Sequence, residues 1–208
     1  MRPHLAISYA HPLHESDFEQ LRRLLASDGT EIEFEQRNEG GPYAGLEWLL
    51  PTAVILFIGK AYIDGFVKEI GKDHYALLKQ GLKSLYARLV GPRAPALTIV
   101  STAGKSGAKS PYSLLFSLLA EAPDGLCFKL LIKASATEAE YDATVNAFIA
   151  FLDAFHNKAL PAEVVQELQA VRVVGKTLLL AYDPIRGRVV AVDPIAERVR
   201  PSPDLHGN

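Results

Sequence analysis

The 208-residue chain is 49% apolar and 22% charged, enough to bury the core of one domain, or of one domain with an appendage. Its formal charge of -2 is spread along the length with no basic block. That argues against a nucleic-acid footprint and against a polybasic membrane patch, both of which need clustered Lys and Arg. Cys127 is the only cysteine, so neither an intramolecular disulfide nor a thiolate metal site is available. Inside GLCFKLLIK it reads as a small hydrophobe of a strand interior. The longest apolar run, LLPTAVILFIG, is about half the roughly 20 residues that a spanning helix requires, and Pro51 interrupts it. With no charged-then-apolar pattern at the start, the expectation is a cytoplasmic protein with no membrane and no nucleic-acid partner.

In chain order, the first strand is predicted from His4 to Tyr9. A helix follows, capped by Ser16 or Asp17, with Phe18, Leu21, Leu24 and Leu25 on its apolar face and Asp28-Gly29 as its stop. TEIEFEQR alternates polar and apolar residues and predicts an exposed or edge strand. A short helical piece covers Tyr43 to Leu50. AVILFI does not alternate, which predicts an inner strand covered on both faces. After Asp64-Gly65, the three- and four-residue spacing of Phe66, Ile70, Leu77, Leu78, Leu85 and Leu89 predicts a long helix up to Gly91-Pro92.

PALTIVS is the fourth strand in this reading. SPYSLLFSLLAEAPDG is a short helix capped by Ser110 with Pro111 at its first position, and LCFKLLIKA is the fifth strand. Thr137 and Glu140 form a capping box for a helix that buries Tyr141, Val145, Phe148, Ile149, Leu152 and Phe155. The remaining chain holds a helix, PAEVVQELQAV, and a β-hairpin, KTLLLAYDPIRGRVVAVDP, whose turn is longer than two residues. The expected architecture is α/β: a five-stranded, mainly parallel, doubly wound sheet in flavodoxin-like order over residues 1–157, with residues 158–208 as a helix, hairpin and tail packed on the same domain.

Two Gly-Lys steps fail the phosphate-loop pattern, because Ile99 and Ala170 stand where the leading glycine belongs. TAGKSGAKS is still a basic loop after a strand, placed where it could meet an anionic ligand. GGPYAG has the wrong register for a dinucleotide fingerprint. His11 and His14 are three apart with Pro12 between them, a poor metal pair, and no metal site is expected. No Gly-x-Ser-x-Gly elbow is present. Lys68, Glu69, Lys72, Asp73 and His74 crowd one helix start, as a solvated face or a binding rim.

Ile7-Ser8-Tyr9 with Asp17 downstream, Gly40-Gly41 after the second strand, AVILFI, and the step Gly59 to Tyr62 together resemble the TIR domain and its bacterial relatives over residues 4–157. The resemblance implies a signalling or defence module that acts by self-association as a homo-oligomer or by binding a protein partner, with NAD or a related nucleotide as a ligand. Its alternative implication is an NAD glycohydrolase that cleaves the nicotinamide–ribose bond, with Glu69 as the catalytic carboxylate stabilising an oxocarbenium-like state. NAD is then substrate or ligand, and no cofactor is required. By the same resemblance Tyr9 or Tyr62 stacks on a base, Arg37 meets the pyrophosphate, and Ser8, His11 and Gly41 complete the rim. The family's serine and its tryptophan or cysteine before the glutamate are absent from YIDGFVKE, and the step from Tyr62 to Glu69 is about two residues short. The whole site requires Ala53–Ile58 to be an inner parallel strand that brings Tyr62 and Glu69 to the rim of Tyr9.

Overall fold

A computed structural model describes residues 4–25, 32–37, 52–60, 62–63, 71–90 and 111–193. The predicted helix stop at Asp28-Gly29, the helical piece at Tyr43–Leu50, the strand PALTIVS, the basic loop after it and the helix start at residues 64–70 lie outside the described residues.

Strand β1 (Leu5–Ala10) alternates buried and half-buried residues. A 3-10 turn at Glu15–Phe18 then leads into helix α1 (Glu19–Leu25). The predicted cap residues do not start it. The turn begins after His14, whose backbone N–H donates to the Asp17 carboxylate at 2.9 Å. β2 (Ile32–Arg37) and β3 (Val54–Ile58) follow, then α2 (Gly71–Val90), β4 (Phe116–Glu121) and β5 (Cys127–Leu131). Helices α3 (Glu138–His156) and α4 (Ala162–Ala170) precede the hairpin of β6 (Thr177–Asp183) and β7 (Arg188–Val192).

The seven strands form one sheet in the order β2-β1-β3-β4-β5-β6-β7. Its first five positions keep the flavodoxin order, but the expectation of a mainly parallel sheet is not met. β1 is parallel to β2, β3 to β4 and β5 to β6, while β1–β3, β4–β5 and β6–β7 are antiparallel. The sheet is therefore mixed. The reason is visible at the end of β2, where the Arg37 guanidinium donates to the Thr52 carbonyl. The chain enters β3 at the same end of the sheet at which it left β2, so β3 must run back antiparallel to β1.

A second correction concerns LLFSLLAEA, read as helix and found as strand β4. A short apolar run carries no decisive period, so pairing with β3 and β5 decides its state. The Pro123–Gly125 turn then joins β4 to β5 as a tight hairpin, with Gly125 at φ 73°.

All four described helices pack on one face, where Leu5, Ile7, Val54, Leu56, Phe116, Leu118, Phe128 and Leu130 of the strands meet Leu21, Leu82, Tyr141, Phe148 and Leu152 of the helices. β3 is an inner strand as expected, yet its burial alternates, with Ile55 and Phe57 half-buried on the other face. α1 and α2 approach closely at Gly81, where a Cβ would stand 2.5 Å from Leu21 Cδ1. The hairpin extends the sheet through β6 beside β5, and the Arg188 guanidinium clasps Glu167 of α4 at 2.7 and 2.9 Å.

The capping box of α3 forms as the sequence predicts. Thr137 N–H donates to Glu140 Oε2 at 2.8 Å, and Glu140 N–H donates to Thr137 Oγ1 at 3.3 Å. The same interaction, led by the Thr137 backbone N–H, holds the Glu140 carboxyl below its ordinary pKa. Thr137→Ala is expected to cost about 1 kcal/mol of unfolding free energy in a urea titration, with an unchanged slope.

Candidate functional site

Residues that alternate with the helix-side core point to the opposite face of the sheet. By register these are Ala6, Ser8 and Ala10 of β1, Arg37 of β2, Ile55 and Phe57 of β3, Ser117 and Leu119 of β4, and Lys129 and Leu131 of β5. Four polar side chains are buried among the described residues: Thr52, Ser117, Lys129 and Thr144. Thr144 satisfies its own helix, donating to Glu140 O at 2.7 Å. The other three lie toward the face of the sheet opposite the described helices.

Thr52 Oγ1 lies 2.6 Å from Ser117 Oγ and donates to Val54 O at 2.9 Å. Thr52 has one hydroxyl proton, so Ser117 supplies the proton between them and keeps acceptor capacity on its oxygen. Arg37 reaches across the end of β1 and donates to the carbonyls of Thr52 and, at 3.1 Å, Ala53. Lys129 is 5% exposed, with Leu119 and Leu179 as its cross-strand neighbours. Burial, and after it the positive charge of Arg37, push its pKa down to about 8.

The sequence-predicted residues divide between two ends and two faces of the sheet. Ser8 is half-buried on the face opposite the described helices, in one cross-strand row with Ile55 and Ser117. Arg37 joins it there. Tyr9 points the other way into the core, 5% exposed, its ring 5.0 Å from that of Phe18. His11 is exposed in the turn after β1. Tyr62 stands at the opposite end: Ile58 pairs with Leu5, and the Gly59 N–H donates to His4 O at 2.9 Å. An antiparallel β3 cannot deliver Tyr62 to the rim of Tyr9, and the pocket expected between them does not form. Burial raises the Tyr62 phenol to about 12, and its ring lines a separate, small apolar cleft with Ile63, Leu78, Ile149 and Leu152. Glu69 and Gly41 lie outside the described residues.

Sequence reasoning passed over Thr52, Ser117 and Lys129. The available signal was a polar residue inside an apolar run, Lys in LCFKLLIKA and Ser in LLFSLLAEA, which burial forces to find polar company. Among the described residues no group of three or more His, Cys, Asp or Glu side chains is placed to hold a metal ion, and no helix is long and apolar enough to cross a membrane. No protein-family model, curated protein or solved structure matches this chain.

Proposed function

We propose that this protein is a TIR-like signalling or defence module that works by binding, taking the phosphates of a nucleotide such as NAD or ADP-ribose on Arg37 and Lys129 and passing its occupancy on through association with a second copy or a protein partner. One observation carries the reading: the half-buried Arg37 and the buried Lys129 lie on the same face of the sheet, near enough for the charge of one to lower the proton affinity of the other. A guanidinium presents a fork of donors to paired phosphate oxygens, whereas an ammonium acts as a compact charge. Ser117 and Ser8 add hydroxyls in the same row. The low dielectric of an enclosed site strengthens each such contact.

Thermal unfolding with ADP-ribose, NAD, pyrophosphate and adenosine tests this. Ligand at about 100 times its Kd is expected to add about 2.7 kcal/mol of stability. Arg37→Gln, checked for folding by circular dichroism, should weaken the phosphate ligands at least tenfold. Equal binding of adenosine, or none by any phosphate ligand, would overturn the proposal. A parallel assay follows nicotinamide release from NAD, where none is expected. Release that Glu69→Gln abolishes would replace binding with glycohydrolase cleavage.

A further inference from the structure

Among the described strands, β2 and β7 form the two edges of the sheet, and they differ in charge. β2 reads IEFEQR and carries the exposed Glu33 and Glu35. β7 reads RVVAV, and its one charged side chain, Arg188, stands at the first position. Natural edge strands are kept from pairing with one another largely by charge, so the uncharged residues 189–192 leave β7 without that guard. Val189 and Ala191 sit with the helix-side core, and Val192 with an apolar cluster on the other face. Arg188 is held by Glu167 of α4. The large apolar side chains left exposed among the described residues, Val165, Val173 and Ile185, fall on the elements around this edge. Val165 belongs to α4, Val173 to the segment between α4 and β6, and Ile185 to the β6–β7 turn.

We propose that β7 pairs antiparallel with β7 of a second copy across a two-fold axis at Val190, so that one sheet runs through both molecules. This rests on the reading of the protein as a module that acts by association, and gives that association its surface. The occupant follows from symmetry and charge. A two-fold antiparallel pair sets residues at equal distances from the axis side by side on one face. About Val190, that residue meets its own counterpart, Val189 meets Ala191 of the second copy, and Arg188 meets Val192. All 5 residues of the strand are then paired, and the two arginines stand at opposite ends of the seam. The β2 edge resists the same operation. About Phe34 it would set Glu33 against Glu35, and about Glu35 it would set that carboxylate against itself, and like charges directly opposite oppose pairing. Main-chain hydrogen bonds supply the affinity of an added strand, and the β-branched valines suit the pleat.

Sedimentation equilibrium of the full chain over a range of concentrations tests this. A monomer–dimer equilibrium is expected. Val190→Lys, which sets two ammonium groups against each other at the axis, should raise its Kd at least tenfold. Val190→Thr, uncharged and β-branched, should leave it within about twofold, with circular dichroism checking that each variant folds. In a Cys127→Ser background, Val190→Cys should oxidise to a cross-linked dimer, whereas Glu33→Cys on the other edge should not. A dimer indifferent to Val190→Lys, or cross-linked through Glu33→Cys instead, overturns the proposal. A monomer at every concentration overturns it too. If the Val190→Cys thiol of that monomer resists a maleimide, the edge is taken by another part of the chain, such as residues 194–208; if it reacts freely, the edge belongs to a partner of another kind. Stabilisation by ADP-ribose in a chain that stays monomeric removes the edge pairing and leaves the anion site. A β7-linked dimer that no phosphate ligand stabilises does the reverse.

Discussion

Lys129→Met is expected to unfold at higher urea than the wild type at pH 7, with a gain of about 3 kcal/mol, and to lose affinity for phosphate ligands at the same time. The stability figure follows from the amine's environment. Its pKa falls from 10.5 to about 8 on folding, which corresponds to about 3 kcal/mol at roughly 1.4 kcal/mol per tenfold change in proton affinity. Between pH 8 and 10.5 the unfolded chain binds one proton more than the folded one at this residue, so wild-type stability climbs with pH across that window. Below it both states are protonated and the full cost of the buried ammonium is present. Above it neither is protonated and the cost is gone. Methionine matches the lysine stem in length and fills the space between Leu119 and Leu179 without a charge. The gain should therefore shrink above pH 8 and vanish beyond 10.5. A variant less stable than the wild type at pH 7 would show that the ammonium is a structural tie and would remove the case for a functional site there.

The opposite sign is expected at Tyr141, where Tyr141→Ala should cost about 4 kcal/mol. This side chain is fully buried at the junction of three elements. Its ring stacks on Tyr86 of α2 with centroids 3.9 Å apart and planes at 17°, and tilts against Phe116 of β4 at 6.4 Å. Its hydroxyl donates to Leu82 O at 3.0 Å. Burial drives the phenol pKa well up, so it remains a neutral donor throughout the accessible range. Tyr141→Phe keeps the stack and loses only the hydroxyl contact, so it should cost about 1 kcal/mol. Urea titrations of both variants separate the two contributions. A loss below about 2 kcal/mol for Tyr141→Ala would mean that the α2–α3 contact collapses onto the cavity or contributes little.

Much of the local structure was legible in the residues. TEIEFEQR is an edge strand because its polar positions tolerate solvent, Thr137 and Glu140 cap α3, and the hairpin turn needs four residues, closing at Gly187 with φ 63°. Strand direction was not legible. A buried strand shows the same apolar pattern whichever way it runs, and only the geometry of the connection from Arg37 to Thr52 reverses β3. The site followed the same division. Ser8 and Arg37 were readable as strand-end polar residues. Thr52, Ser117 and Lys129 are far apart in sequence and meet only through the register of β3, β4 and β5, which no local pattern encodes.

Among the described strands, five of the six pairings join neighbours in chain order, and β1–β3 is the exception. In those five, each later strand closes onto the one before it in the sequence. The one joint that must form out of turn is fastened by Arg37, which reaches over the end of β1 to the two carbonyls at the mouth of β3. The side chain assigned to grip the ligand is therefore also the latch on the pairing that skips a strand, and replacing it should loosen that seam as well as weaken binding.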